Sequence, residues 1–309
     1  MLNFDTMNHP FIFTFILAFA CTISNAFSQG CSDAGFCTVG AFRPSIEKDS
    51  VSALQNQLKI GSFYGLADHD IAVYGGYVSY QRILSENYSA TLKITSLGQY
   101  GNEISVYGFS DIFLTANAHV NERIKLTAGA KIPSNNANKT WNAMALPMDY
   151  QSSLGTFDAI VGLAYQLNAL HLTIAAQIPI TQNQNKFLAS AYPATSPLSQ
   201  FQSTQNYQRK ADVLLRVSYP ITRNKVTLTP SLLPIYHLGE DAYTTEEGAL
   251  ASISGSDGLT LNGNVYLDYQ LTATSKLQAS AAVPFIVRSA RPDGLTRSFI
   301  ATVEYSVRF

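Results

Sequence analysis

Few residues of this 309-residue chain can do chemistry: Lys and Arg together number 20, Asp and Glu 21, His five and Cys three. His171 and Thr173 lie two apart in an alternating segment. They are the nearest approach to the His/Ser pair of barrel phospholipases. Thr stands where that chemistry needs Ser, and nothing nearby completes a triad. His69, His119 and His237 sit singly near expected strand ends and read as surface histidines. No His/Cys/carboxylate group has zinc-ligand spacing. Gly75-Gly76 fits strand glycines better than a phosphate loop. No catalytic residue, metal or cofactor is expected, and the chain does not read as an enzyme.

Three cysteines carry a different message. Cys31 and Cys37 enclose five residues just after a targeting-like segment. In an oxidising compartment such a pair closes a disulfide. A metal pair is the rival, but no second Cys/His pair lies nearby. The apolar run Phe11 to Cys21, with Ala26 and Ser28 before Gln29, reads as a signal peptide over residues 1–28. Its start lacks Lys and Arg. Lipidation of Cys21 is the alternative, although Phe19-Ala20 matches a lipobox poorly.

The remaining chemistry-capable groups are charges inside alternating segments. Lys93, Asp111, Lys131, Asp158, Asp212, Arg216 and Asp268 fall on the polar face, with Arg288, Glu304 and Arg308. Both signs are present, so no strongly ion-selective ring is indicated. They are expected to line a solute path, orienting a solute or holding a plug rather than reacting, or else simply to hydrate the wall. A turn centred on Asn121 would make Asp111 and Lys131 direct cross-strand neighbours.

The elements that must position these groups are strands. From Ser50 onward the chain alternates apolar and polar residues with period two. The last segment is the clearest: Phe299, Ala301, Val303, Tyr305, Val307 and Phe309 oppose Ser298, Ile300, Thr302, Glu304, Ser306 and Arg308. Leu170, Leu172 and Ile174 oppose His171, Thr173 and Ala175 in the same way, as do Val213, Leu215 and Val217 against Asp212, Arg216 and Ser218. Irregularity between Ile71 and Leu84 suggests a bulge there.

Short links are expected near Ser85–Asn87, Asn121, Asn168–Ala169, Arg223–Asn224 and Ala273–Ser275. Long links are expected at Ser134–Leu154, Gln182–Tyr207, Gly239–Asp257 and Ser289–Thr296, with only the outer link near Asp68–Asp70 short. Such segregation describes an all-β transmembrane antiparallel barrel of about twelve strands, with tight periplasmic turns and long outer loops. Tyr88, Tyr165, Tyr219, Tyr269 and Phe309 near short turns, and Phe157, Tyr236, Phe285 and Phe299 near long ones, form two aromatic girdles.

Composition agrees. Only 13% of residues are charged, against about 25% in soluble domains. A net charge of −1 gives no reason to expect nucleic acid. No later stretch is long and apolar enough for a membrane helix.

Gly108-Phe109-Ser110-Asp111-Ile112, followed by Ala128-Gly129-Ala130-Lys131-Ile132-Pro133 and Leu154-Gly155-Thr156-Phe157-Asp158, resembles a pattern in one family of outer-membrane barrels. That family is associated with the phenol meta-cleavage pathway and is similar to long-chain fatty-acid transporters. The matching stretch runs from Val106 to Ile180. The family has Thr-Gly after the Pro, where this chain has Ser134-Asn135. The resemblance implies a barrel that takes up small hydrophobic or aromatic molecules, with no catalytic residues to carry over. A terminal Phe309 after an alternating strand with Tyr305 also resembles the signal read by the barrel-assembly machinery.

The expectation is a signal peptide over residues 1–28, a head over 29–55 and a barrel over 56–309 in the outer membrane of a Gram-negative bacterium. The head is either a lumen plug or a periplasmic tail. Inward Gly129, Gly162, Ala164, Ala175 and Ala282 would leave room for a narrow route. The partners are outer-membrane lipid, the assembly machinery and a small-molecule solute. The expected function is passive uptake of small hydrophobic or aromatic molecules. The alternative is a structural or adhesive barrel whose outer loops, Gln182–Tyr207 above all, bind a partner.

Overall fold

The computed structural model describes residue 42, residues 55–294 and residues 298–309. The cleavage site before Gln29, Cys21 and the Cys31–Cys37 pair lie outside the described residues.

Twelve strands make the wall: β1 (Asn56–Leu66), β2 (Ala72–Ile83), β3 (Tyr88–Gly101), β4 (Ile104–His119), β5 (Ile124–Pro133), β6 (Asp158–Leu167), β7 (Leu170–Pro179), β8 (Asp212–Ser218), β9 (Val226–His237), β10 (Gly258–Gln270), β11 (Ser275–Ile286) and β12 (Phe299–Arg308). A short piece, Ile221–Arg223, continues β8 beyond Pro220 and pairs with the same neighbour, β9. Pro220 has no N–H for the ladder, which accounts for the break. Every neighbouring pair is antiparallel, and β1 pairs with β12 from Gln57↔Arg308 to Leu66↔Phe299. The sheet is therefore closed. In lipid, closure is what leaves no row of unpaired N–H and C=O groups.

The wall is inside-out relative to a soluble domain. Ile60, Val78, Leu114, Val161, Leu215 and Val303 are exposed, whereas Lys131, Asp158, Asp212 and Arg216 are buried. Alternation along each strand sends the apolar set to the lipid and the polar set to the lumen. Tyr88, Tyr219, Tyr269 and Phe309 are exposed at one rim, and Phe157, Tyr236, Phe285 and Phe299 at the other. The chain is an outer-membrane β-barrel.

Three expectations are corrected. The outer link between β3 and β4 is also short: Asn102 and Glu103 turn the chain with φ of 49° and 62°. Its sequence mark is Gly101-Asn102, a turn pair set between two alternating runs. β2 pairs regularly with both neighbours; the register instead shifts between β3 and β4 at Ile94/Ser96, with the extra residue on β4, and between β10 and β11 at Leu261/Asn262, with the extra residue on β11. The β4–β5 register pairs Asp111 with Pro133 and Phe113 with Lys131. Asn121 begins that turn, its Oδ1 accepting from the N–H groups of Arg123 and Ile124 at 2.9 Å each. The turn therefore centres one residue later than expected, and Asp111 and Lys131 are diagonal neighbours.

Candidate functional site: the lumen and its outer mouth

The long link after β5 does not stand out in solvent. Its residues 148–156 fold into the mouth against the lumen faces of β3, β4 and β5. Gln99 Nε2 donates to the Gln151 carbonyl at 2.7 Å, and Tyr150 Oη donates to the Gly101 carbonyl at 2.8 Å. Ser153 Oγ donates to Asp111 Oδ1 at 2.5 Å, and Lys131 Nζ to Thr156 Oγ1 at 2.9 Å. Gly155 takes φ of +68° there, with Asn136 of the same link and Asn183 of the next so close that a Cβ would meet them.

Asp111, Lys131 and Asp158 form one cluster under this loop. Lys131 Nζ lies 2.9 Å from Asp158 Oδ2 and 4.0 Å from Asp111 Oδ2. Register explains the preference, because Lys131 faces Asp158 directly across β5 and β6. Gln177 Nε2 donates to the same Asp158 carboxylate, and Gln177 in turn faces Asp212 across β7 and β8. A polar belt thus runs round one side of the mouth.

The belt ends in a lock. Asp212 accepts from the Arg209 guanidinium and lies 2.5 Å from His237 Nδ1. His237 Nε2 is 2.8 Å from Asp241 Oδ1, and Tyr207 Oη donates to Asp241 Oδ2 at 2.6 Å. Burial, with Asp241 beside it, pushes the Tyr207 phenol well above its ordinary pKa, so it remains a donor. Asp241 N–H donates to Ser256 Oγ at 2.7 Å, Arg288 Nη1 donates to the Ser256 carbonyl at 2.5 Å, and Arg288 is paired with Asp293 at 3.0 Å. Three outer links are held to one another and to the barrel rim. This corrects the reading of His237 as a surface residue: it is 1% exposed, with a carboxylate at each ring nitrogen. A lone His near a strand end carries no signal for partners 25 residues back and four ahead.

The link expected at Gln182–Tyr207 is likewise folded rather than splayed. Asn183, Asn185, Phe187 and Tyr207 are buried. Asn185 Nδ2 donates to the carbonyls of Ala137 and Leu146 at 2.7 and 3.0 Å, tying this link to the inward loop.

Deeper in the lumen the remaining expected residues separate. Lys93 Nζ sits 3.6 Å from the centre of the Tyr77 ring, whose hydroxyl donates to Glu304 at 2.5 Å. Asp268, nearer the periplasmic rim, is bound by Lys276 at 3.2 Å and by Gln278 Nε2 at 2.7 Å. Arg216, alone on its stretch of β8, donates to the Tyr266 hydroxyl. Among these polar groups lies an apolar cluster of Phe113, Ile160, Leu214, Leu233 and Ile235 together with Phe42. Phe42 precedes the first strand, yet it packs over Gly162, where a Cβ would come within 2.3 Å of its ring. The space that inward Gly162 and Ala175 were expected to leave is therefore taken by Phe42.

No family model matches the chain, and no curated protein matches it in sequence. The phenol-pathway naming thus finds no support beyond the motifs themselves. Among solved structures, the chain is similar to an outer membrane channel from Pseudomonas putida F1, at 13% identity and a TM-score of 0.59, over 86% of this chain and all of that one. It is less similar to the KdgM porin, at 8% identity and a TM-score of 0.42, over 81% and 99% of the two chains. The NanC porin stands at 10% identity and 0.43, over 82% and 98%. Closure of the sheet, an apolar exterior, a polar lumen and the likeness to the Pseudomonas putida structure together give the chain the fold of a twelve-stranded outer-membrane β-barrel.

Proposed function

We propose that the protein is an outer-membrane channel for passive uptake of small hydrophobic or aromatic molecules, with no catalytic step. The observation that carries this reading is the apolar cluster inside an otherwise polar lumen, capped by Phe42 on Gly162. Phe42 comes from outside the wall, so its removal would open this apolar patch without breaking a strand. A neighbour of the same fold that is named as a channel supports the class of activity. In this reading Asp111, Lys131 and Asp158 set the position of the inward loop, Lys93, Arg216 and Asp268 line the deeper path, and residues 29–55 act as a plug through Phe42.

Solute flux into liposomes tests it, with benzoate, a long-chain fatty acid and a sugar compared. Selective flux of an apolar solute, raised several-fold by Phe42→Ala or by deleting residues 29–50, is the expected result. No flux of any solute from folded protein, with or without the head, removes the transport reading. The adhesive alternative would then stand, favoured by the folded outer links around Phe187 and Tyr207.

A further inference from the structure

Arg216 is 1% exposed and faces the lumen from the middle of β8. Its Nη1 donates to the Tyr266 hydroxyl, and its guanidinium carbon lies 5.8 Å from the centre of that ring. Its Nε and Nη2 are buried and have no hydrogen-bond partner. Those two N–H groups lie along one edge of the guanidinium plane, the edge that grips both oxygens of a carboxylate at once. The carboxylates above and below are already committed: Asp212 to Arg209 and His237, Asp268 to Lys276 and Gln278.

The surroundings share the same shortage of partners. On β9, Leu214↔Ile235 and Ser218↔Ser231 bracket the position that Arg216 faces. Ser231 and Leu233 in turn face Asn264 and Asn262 on β10. Ser231 Oγ, Asn264 Nδ2 and both polar atoms of the Asn262 side chain are buried without partners. One unsatisfied buried group is uncommon, and a buried guanidinium that meets a hydroxyl but no carboxylate is strongly disfavoured. Several on three adjacent strands mark a place prepared for a polar group that the chain itself does not supply. Leu214 and Leu233, both fully buried in the cluster that Phe42 joins, give the same patch an apolar floor that a solute would share with Phe42 or take from it.

We infer that this patch binds a small carboxylate carried on an apolar body, such as an aromatic or short aliphatic acid. Arg216 grips the carboxylate edge-on; Ser231, Asn262 and Asn264 steady it; Leu214 and Leu233 receive the apolar part. The inference rests on the reading of the lumen as a solute path and narrows its substrate class from hydrophobic molecules to hydrophobic acids.

The test is binding of 4-fluorobenzoate to the full-length protein in detergent, read by fluorine NMR line broadening. Folding is checked by heat-modifiable migration. Saturable broadening, displaced by benzoate but not by the neutral isostere benzamide, is expected. Arg216→Gln should weaken binding about tenfold or more, the scale of a lost bidentate charged contact. Arg216→Lys keeps the charge but loses the fork, and should fall between. Asn264→Leu should weaken binding less, and it carries the test if Arg216→Gln fails to fold. Equal binding by folded Arg216→Gln and wild type, equal displacement by benzamide, or no binding by the folded wild type would overturn the site. Liposome flux measured in parallel separates the two readings. Flux without carboxylate binding removes this site and leaves the channel; binding without flux leaves the site and removes the channel.

Discussion

Lys131 lies between two carboxylates, and strand register decides which of them it serves. Asp158 faces it directly at 2.9 Å, whereas Asp111 is reached diagonally at 4.0 Å. All three groups are buried. Removing one member of such a pair leaves the other as an uncompensated buried charge, which costs about 3–5 kcal/mol. Lys131→Met should therefore destabilise the barrel by about that much. Lys131→Met with Asp158→Leu should recover most of the loss. A double-mutant cycle read by denaturant unfolding should give coupling between 131 and 158 above that between 131 and 111. Additive effects at 131 and 158 would argue that the pair is not a unit.

At the scale of elements, the closing strand carries an interaction that the wall cannot replace. β12 pairs with β1 on one side and β11 on the other, so both seams depend on its last residues. Phe309 is exposed at the rim, and its backbone N–H and C=O bond to Asn56 at 3.0 Å each. Deleting Phe309 should reduce the heat-modifiable, membrane-extracted fraction several-fold; unchanged assembly would remove the reading of Tyr305 and Phe309 as an assembly signal. The β3–β4 hairpin is the longest pair of strands, and its register shifts between Ile94 and Ser96. A bulge adds one residue to one side of a ladder and reverses which face later residues take. Here the extra residue is on β4, where Ile94↔Ile112 is followed by Ser96↔Phe109: Asp111, Phe113 and Thr115 face inward, but Tyr107 and Phe109 face out.

At the scale of the whole molecule, the outer links behave as one cap. The lock of Arg209, Asp212, His237 and Asp241 joins the link after β7 to the link after β9, and Arg288 extends it to the link after β11. His237→Ala removes two charge-assisted contacts, each worth about 1.5–3 kcal/mol. Its expected consequence is a looser cap over an intact barrel. Trypsin should cut at Lys186 and Lys210 several-fold faster, with the strand pattern in circular dichroism unchanged. Equal cleavage rates would mean that the cap is held mainly by its apolar clusters around Phe187, Phe201 and Tyr207.

Alternation alone determined most of the wall. A strand in lipid must show one apolar and one polar face, so the local order of Phe299 to Phe309 or Leu170 to Ile180 already states which side each residue takes. The link lengths stated which end faces outward. Lys93, Asp111, Lys131, Asp158, Asp212, Arg216 and Asp268 were legible as lumen residues for that reason. What they bind was not, because a period of two assigns a face and says nothing of register, and a one-residue error in the β4–β5 turn exchanged the partner of Lys131. His237, Tyr207, Asp241 and the inward loop were illegible for a related reason: their contacts join links that no local pattern relates. Phe42 is the extreme case, a single aromatic before the first strand, 120 positions from the Gly162 it covers. Local periodicity therefore specified the barrel, and only closure of the sheet, which brings distant strands and links to one mouth, decided what fills it.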